Sequence, residues 1–184
     1  MKLTKTKARV HKTKEYMSKI RLEPINDDNF YAVTKLKLAK EQKHFVASNS
    51  YSIIHAYLAM INGQKAYPFA ILLEDKPVGF IMIGYDILAE KVKDNPKCNW
   101  FICNNYIIWR LMIDKKYQGK GYAKEAMKLA LDFVRTFPCG KAKYCWLSYE
   151  IENDVARNLY KSFGFKEVPD AYKEGGEMPA ILEL

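Results

Sequence analysis

A short segment in the second half of the chain, residues 118–123, combines the residue types and the spacing that bind phosphate groups. Its sequence is Gln-Gly-Lys-Gly-Tyr-Ala, and it lies between an apolar run that predicts a strand and an amphipathic run that predicts a helix. Glycines let successive backbone N–H groups point into one concavity, and a helix start adds unsatisfied donors with a partial positive charge. The segment therefore predicts a site for phosphate oxygens, although Gly119 and Gly121 could also be ordinary turn glycines.

The spacing excludes two common phosphate-binding loops. A Walker loop requires Gly-Lys followed by Ser or Thr, whereas Lys120 is followed by Gly121. The dinucleotide-binding fingerprint requires a third Gly or Ala where this chain has Lys124. The pattern that does fit is Gln/Arg-x-x-Gly-x-Gly/Ala, which is filled by Gln118, Gly121 and Ala123.

A second segment, residues 147–165, agrees with the loop. It contains, in order, Asn153, Ala156, the pair Leu159-Tyr160 and the pair Gly164-Phe165. Together the two motifs resemble those of the GNAT superfamily of N-acetyltransferases, with the same order and the same strand and helix context. The resemblance covers residues 19–184 and implies that acetyl-CoA is the acetyl donor.

The resemblance implies roles for individual positions. The backbone of a splayed strand would bind the pantetheine arm and polarise the thioester carbonyl; its residues are Leu111, Met112 and Ile113. Backbone amides of the loop would hold the pyrophosphate; they belong to Gln118, Gly119, Lys120, Gly121, Tyr122 and Ala123. Asn153 would contact the pantetheine, and the Tyr160 hydroxyl would act in catalysis by giving a proton to the departing thiolate.

Several of these positions also suit a structural role. Asn153 could be only a helix cap, and Tyr160 could belong to the core, since it lies on the apolar face of its predicted helix. Lys120 and Lys124 could be solvated or could meet the phosphates.

The acceptor is predicted to be a primary amine. Within the superfamily the chain is most similar to bacterial spermine/spermidine (diamine) N-acetyltransferases, on cues in residues 27–30, 41–45 and 176–178. A polyamine site needs carboxylates, and Glu41 and Glu150 are the predicted substrate-binding residues. Asp86 and Glu152 are further candidates, and each of the four could equally be a surface charge.

The general base and the competing functions stay open. Arg110 interrupts the predicted strand at 106–113, near which other members of the superfamily place a carboxylate base. Glu150 or an ordered water is the candidate for that role. The alternatives are an acyl-CoA-binding or RNA-associated module with little turnover, and an enzyme that acetylates a protein amine.

Hydrophobic periodicity predicts alternating strands and helices, and hence an α/β fold. The resemblance further implies a single-domain GNAT fold, with a mixed, mostly antiparallel sheet of about seven strands and a splayed acetyl-CoA cleft. The predicted strands are 20–25, 66–73, 77–86, 106–113, 144–149, 165–168 and 178–184. The predicted helices are 30–38, 50–61, 123–137 and 153–163, and residues 90–96 are predicted to form a loop.

Composition limits the remaining functions. The net charge is +9, of which residues 1–18 carry +5, so the excess is concentrated in a basic N-terminal arm that precedes the domain at 19–184. Such an arm is usually solvated, and nucleic acid is therefore not the expected partner. Four cysteines without a C-x-x-C pair predict neither a metal site nor a disulfide framework. The sequence has no apolar run long enough to span a membrane and no secretory signal, so we expect a cytoplasmic protein. A homodimer is a further possibility.

Overall fold

The computed structural model describes residues 19–184, which form a seven-stranded sheet with helices packed on both faces. The strands are β1 (Ile20–Pro24), β2 (Lys65–Leu73), β3 (Lys76–Tyr85), β4 (Tyr106–Ile113), β5 (Tyr144–Tyr149), β6 (Lys166–Glu167) and β7 (Met178–Glu183). The helices are α1 (Phe30–Thr34), α2 (Asn49–Ile61), α3 (Ala89–Val92), α4 (Asn99–Ile102), α5 (Tyr122–Val134) and α6 (Asp154–Ser162). Short 3-10 turns lie at Lys40–Gln42 and Pro169–Ala171. The predicted α/β fold is confirmed.

The sheet has the strand order β1-β2-β3-β4-β5-β7-β6, and each described pair is antiparallel except β4 with β5. Two hydrophobic cores cover its faces. The α5-side core contains Ala126, Ala130 and Val134, which recur every four residues and so form one buried stripe of α5. The α2-side core contains Ala56 and Ala59 of α2, packed with Met82 and Trp146 of the sheet.

The two halves of the sheet separate between β4 and β5. These strands pair only through Tyr106 with Cys145 and Ile107 with Trp146. Beyond that point β4 continues along β3 as far as Ile113, while β5 continues along β7. Among residues 19–184, the edge of β4 that would face β5 therefore has no strand partner over residues 108–113, and a cleft opens there.

A β-bulge lies at the start of this cleft. Met82 of β3 is opposite Arg110, but the next residue of β3, Ile83, is opposite Ile108. Trp109 is therefore the extra residue of β4. A bulge interrupts the alternation of side chains along a strand and redirects the residues beside it.

Two predicted elements differ from the observed ones. The first helix ends at Thr34 rather than at residue 38, because the backbone of Lys37 is bound elsewhere. Its N–H donates to Oδ2 of Asp114 at 2.8 Å, and its carbonyl accepts from the N–H of Lys115 at 2.8 Å. The predicted loop at 90–96 includes the end of the one-turn helix α3.

Within residues 19–184, no helix is long and apolar enough to cross a membrane. The predicted basic arm at 1–18 lies outside the described residues.

Candidate active site

The cleft between β4 and β5 is a cavity of about 550 Å³. The phosphate-type loop, residues 118–123, lies at one end of this cavity. Helix α6 and the start of β7 lie along the side formed by β5. The predicted site residues that line it are Leu111, Met112, Ile113, Gln118, Gly119, Gly121, Tyr122, Ala123, Asn153 and Tyr160. Residues from β4, from the loop at 118–123 and from α6 with its N-cap therefore meet at one cavity.

The loop has the backbone geometry of an anion cradle. Gly119 and Gly121 have φ values of 73° and 86°, in the left-handed region that favours glycine. A Cβ added at either glycine would have no atom within 4 Å, so the space above both is open. Gly121 is also the residue at which α5 begins, and the first turn of that helix presents unpaired N–H groups to the same space.

The side chain of Gln118 holds this loop in place through two hydrogen bonds. Its side-chain nitrogen donates to the carbonyl oxygen of Ile113 at 2.9 Å and to Oε1 of Gln42 at 2.8 Å. Asp114, which is buried, accepts from the backbone N–H groups of Lys37 at 2.8 Å and of Lys116 at 2.9 Å. The end of β4 is thus held to the segment between α1 and α2.

Lys120 of the loop and Lys124 of α5 both lie outside the cavity lining. Lys120 is exposed, lies outside the cavity lining, and places its ammonium nitrogen 5.3 Å from the centre of the Tyr117 ring. Lys124 is also exposed and outside the lining. Of the two roles considered for them, the solvated one fits this geometry.

Asn153 caps α6. Its side-chain oxygen accepts from the N–H of Ala156 at 3.1 Å, and the same residue lines the cavity. The capping role is therefore observed, and the predicted contact to pantetheine stays a prediction.

Tyr160 lies on the buried face of α6 with its side chain against the cavity, and 9% of the residue is exposed. Burial raises the pKa of its hydroxyl above the ordinary value, and Glu177 and Tyr149 raise it further. The hydroxyl therefore stays protonated at neutral pH and can donate.

The carboxylate at this site was not found by sequence reasoning. Among the described residues that line the cavity, Glu177 is the one acidic residue, and it accepts a hydrogen bond from the Ser148 hydroxyl. The pairing of Tyr149 with Met178 in the sheet brings residue 177 to the cleft. Glu41 and Glu150, the predicted substrate-binding residues, lie outside the lining, as do Asp86 and Glu152.

An aromatic and basic cluster forms the side of the cleft nearest α2. The ring of His55 stacks on Trp109 with centroids 5.7 Å apart, and Arg110 lies 5.5 Å from the centre of the same Trp109 ring. Burial lowers the pKa of His55, and the neighbouring cations Arg110 and Lys91 lower it further. His55 is consequently neutral at pH 7 and leaves Arg110 as the cation of this cluster.

Across residues 19–184, no group of three or more His, Cys, Asp or Glu side chains is arranged to hold a metal ion.

Comparison with known proteins agrees with this geometry. The acetyltransferase (GNAT) family matches residues 32–165. The spermine/spermidine N(1)-acetyltransferase of Bacillus subtilis (strain 168) is 28% identical over 152 residues, which is 80% of this chain and 88% of that protein. N-alpha-acetyltransferase 30 of Saccharomyces cerevisiae is 31% identical over 81 residues, 42% of this chain and 44% of that protein.

A solved structure shares the fold. The PaiA N-acetyltransferase of Thermoplasma acidophilum, determined in complex with coenzyme A, superposes with a TM-score of 0.60 at 13% identity and covers 90% of this chain and 99% of its own. The family match spans most of the sheet, the loop and α6. The chain therefore belongs to the acetyltransferase (GNAT) family, as an acyl-transferring enzyme whose donor is acetyl-CoA.

Proposed function

We propose that this enzyme transfers the acetyl group of acetyl-CoA to the primary amine of a small molecule, by direct attack of the amine on the thioester. The observation that carries the proposal is the splayed cleft, which is lined by the glycine loop at one end and by both Tyr160 and Glu177 along its side. An acetyl donor and an amine can meet there without a covalent enzyme intermediate.

The described residues fit acetyl-CoA. Open space above Gly119 and Gly121 leaves room for phosphate oxygens against the backbone of the loop and the start of α5. The edge of β4 that does not pair with β5 would supply backbone N–H and C=O groups for an extended amide-containing arm. They would come from Leu111, Met112 and Ile113, except that the carbonyl of Ile113 already accepts from Gln118. When bound, acetyl-CoA supplies an activated acetyl thioester.

The chemistry then requires a neutral amine and a proton for the leaving thiolate. We assign Glu177 to accept the proton of the incoming ammonium, because it is the carboxylate in the cavity lining of the described chain. We assign Tyr160 to hold a proton at its hydroxyl, since its raised pKa keeps that oxygen protonated. General acid–base groups of this kind contribute about 10²- to 10⁴-fold each.

A polyamine is the acceptor indicated by the Bacillus relative, whose name gives spermine and spermidine as substrates. A polyamine carries two or more cations, and its recognition needs carboxylates placed along its length. The cavity lining provides Glu177 but not Glu41 or Glu150. The polyamine hypothesis is therefore supported by the relative and not by the acidic residues predicted from the sequence.

A protein amine is the second candidate, because one partial match is to a yeast protein named as an N-alpha-acetyltransferase. Cytoplasmic location, a homodimer and the role of the arm at 1–18 stay predictions. If the arm binds RNA, its removal will abolish binding that weakens steeply with salt.

The proposal is tested by release of free thiol from acetyl-CoA with a panel of diamines, polyamines, amino acids and peptides with free N-termini. We expect thiol release to be stoichiometric with an acetylated small amine identified by mass spectrometry. The proposal is wrong if no amine raises thiol release above the rate without acceptor. Turnover confined to peptides would favour the protein-amine alternative.

A further inference from the structure

The bulge in β4 places a cation beside the reaction centre. On either side of the bulge, Ile108 and Leu111 pack in the α5-side core, whereas Trp109 packs in the α2-side core. Because Arg110 lies 5.5 Å from the ring of Trp109, both side chains lie on the same side of the strand. That is the side from which α2 covers the sheet, opposite to α5 and its phosphate-type loop.

Arg110 forms no ion pair within residues 19–184. One terminal nitrogen of its guanidinium donates to the carbonyl oxygen of Trp109 at 2.7 Å, and its Nε is buried with no partner among the described residues. Within the same residues no carboxylate lies within 4.0 Å of it. Arg110 is half-buried and its Nε is fully buried, which is unfavourable without an anion because that donor has lost water and gained no partner.

The charged groups around Arg110 indicate which kind of ligand it would bind. Burial lowers its pKa, while Glu177 and Tyr51 act in the opposite direction. Glu177 is thus close enough to influence Arg110, yet its carboxylate is bound by Ser148 and forms no ion pair with the guanidinium. The cleft therefore presents one negative and one positive group, each available to a ligand.

We infer that the acceptor carries a carboxylate near its reactive amine, and that Arg110 is the residue that selects it. An aminocarboxylate places its ammonium at Glu177 and its carboxylate at the guanidinium of Arg110, a pairing that forms short charge-assisted hydrogen bonds. A polyamine instead brings a second ammonium toward the half-buried cation of Arg110, which is repulsive. This inference rests on the proposed function and narrows its acceptor class.

The reaction on such an acceptor is ordinary amide formation. The nitrogen of the amine forms a bond to the acetyl carbon while the bond from that carbon to sulfur breaks. Glu177 takes one proton of the ammonium before the attack and releases it to solvent. The sulfur receives the proton of Tyr160, and the second proton, which the nitrogen loses as the amide forms, returns the Tyr160 oxygen to its protonated state. The carboxylate of the acceptor does not react and contributes only binding.

The experiment compares pairs of acceptors that differ by one carboxylate: ornithine with putrescine, and lysine with cadaverine. We expect kcat/KM to be about 10- to 100-fold higher for the amino acid of each pair, the usual effect of a hydrogen-bonded charge. Lysinamide, in which the carboxylate becomes a neutral amide, is expected to lose most of this advantage. Mass spectrometry identifies the nitrogen that is acetylated.

Two variants test whether Arg110 causes the preference for an acceptor with a carboxylate. Arg110→Met is expected to reduce the preference for the carboxylate to within about threefold, with the affinity for acetyl-CoA measured by calorimetry to establish that the variant is folded. Arg135→Met is the matched control, because Arg135 is an exposed arginine at the end of α5 outside the cavity lining. It is expected to keep the preference of the native enzyme.

The inference is overturned if the diamines equal or exceed their amino acids in the native enzyme, or if folded Arg110→Met keeps the preference. The comparison of lysine with lysinamide needs no variant, so it remains decisive if Arg110→Met does not fold. Failure of every amine in every series would instead overturn the proposed function itself.

Discussion

The side chain of Gln118 donates a hydrogen bond of 2.8 Å to Gln42, which lies 76 residues earlier in the chain. The same nitrogen also binds the carbonyl oxygen of Ile113 at 2.9 Å. Gln118 thus joins the phosphate-type loop to Ile113, the last residue of β4, and to the 3-10 turn at Lys40–Gln42. We infer that its side chain positions the loop, whose backbone is the proposed source of the phosphate donors.

We expect Gln118→Ala to weaken acetyl-CoA binding more than turnover. Two neutral hydrogen bonds contribute about 1–3 kcal/mol together, so the KM for acetyl-CoA should rise about tenfold. Gln42→Ala removes one of the two bonds and should have a smaller effect in the same direction. Gln64→Ala is the control, since its side-chain bond of 3.3 Å to the carbonyl of Asp86 lies outside the cleft. A Gln118→Ala enzyme with unchanged KM would contradict the positioning role.

We expect Gly121→Val to abolish acetyl-CoA binding while the protein still folds. A β-branched residue is strained at a φ of 86°, and its side chain would occupy the open cradle. Gly63→Val is the matched control, because Gly63 has a φ of 81°, equal open space and no part in the cleft. Strain of this kind costs about 1–3 kcal/mol, so thermal unfolding should change similarly in both variants.

Calorimetric titration with acetyl-CoA distinguishes the Gly121→Val variant from the Gly63→Val control. Only the Gly121 variant should lose affinity for acetyl-CoA, and retention of affinity by it would show that the loop is not the phosphate site.

Local sequence was sufficient for the parts of the site that a single segment builds. The loop at 118–123 combines glycine, a preceding strand and a following helix, so its anion-binding geometry follows from neighbouring residues. The strand at 106–113 was predicted with its observed bounds of Tyr106–Ile113. Asn153 was recognised as the N-cap of α6, where its side chain does accept from Ala156.

The remaining parts depend on contacts between distant segments. Glu177 reaches the cleft only because β7 pairs with β5, and a single acidic residue before a strand has no pattern that distinguishes it from a surface charge. The bulge at Trp109 depends on the register of β4 against β3, which cannot be read from β4 alone. The same reason explains the early end of α1, where Asp114 binds the backbone of Lys37.

The pH dependence of turnover should reflect the acceptor and Tyr160 in different ranges. The rate should rise with pH toward the pKa of the acceptor amine, because only the free base attacks. Tyr160 must be protonated to donate, and its pKa is raised by burial and by its neighbours, so its proton is lost only above the ordinary tyrosine range. We therefore expect no decline of kcat from Tyr160 below about pH 10, the ordinary tyrosine pKa.

Glu177→Gln tests the assignment of the base. We expect kcat to fall about 10²-fold near neutral pH, the lower end for general base catalysis. The deficit should shrink as the pH rises, since the acceptor is then deprotonated by the solvent. Glu41→Gln and Glu150→Gln serve as controls and also test the residues predicted from the sequence. If either of them shows this pH-dependent deficit and Glu177→Gln does not, the base is assigned to the wrong residue.

Tyr160→Phe tests the proton donor. The ring is kept, so its contacts with Tyr149 and Phe165 should remain and stability should change by less than about 1.5 kcal/mol. Affinity for acetyl-CoA should be nearly unchanged, while kcat falls about 10²-fold, the lower end for a general acid, because a thiolate leaves readily. A fall in kcat at constant KM marks an interaction made mainly in the transition state.

Tyr149→Phe is the matched control: Tyr149 is also buried and lines the cavity, but its hydroxyl is bound to Glu167. If Tyr160→Phe keeps kcat within twofold of the native enzyme at every pH, Tyr160 belongs only to the core, and the proton reaches the sulfur from another source.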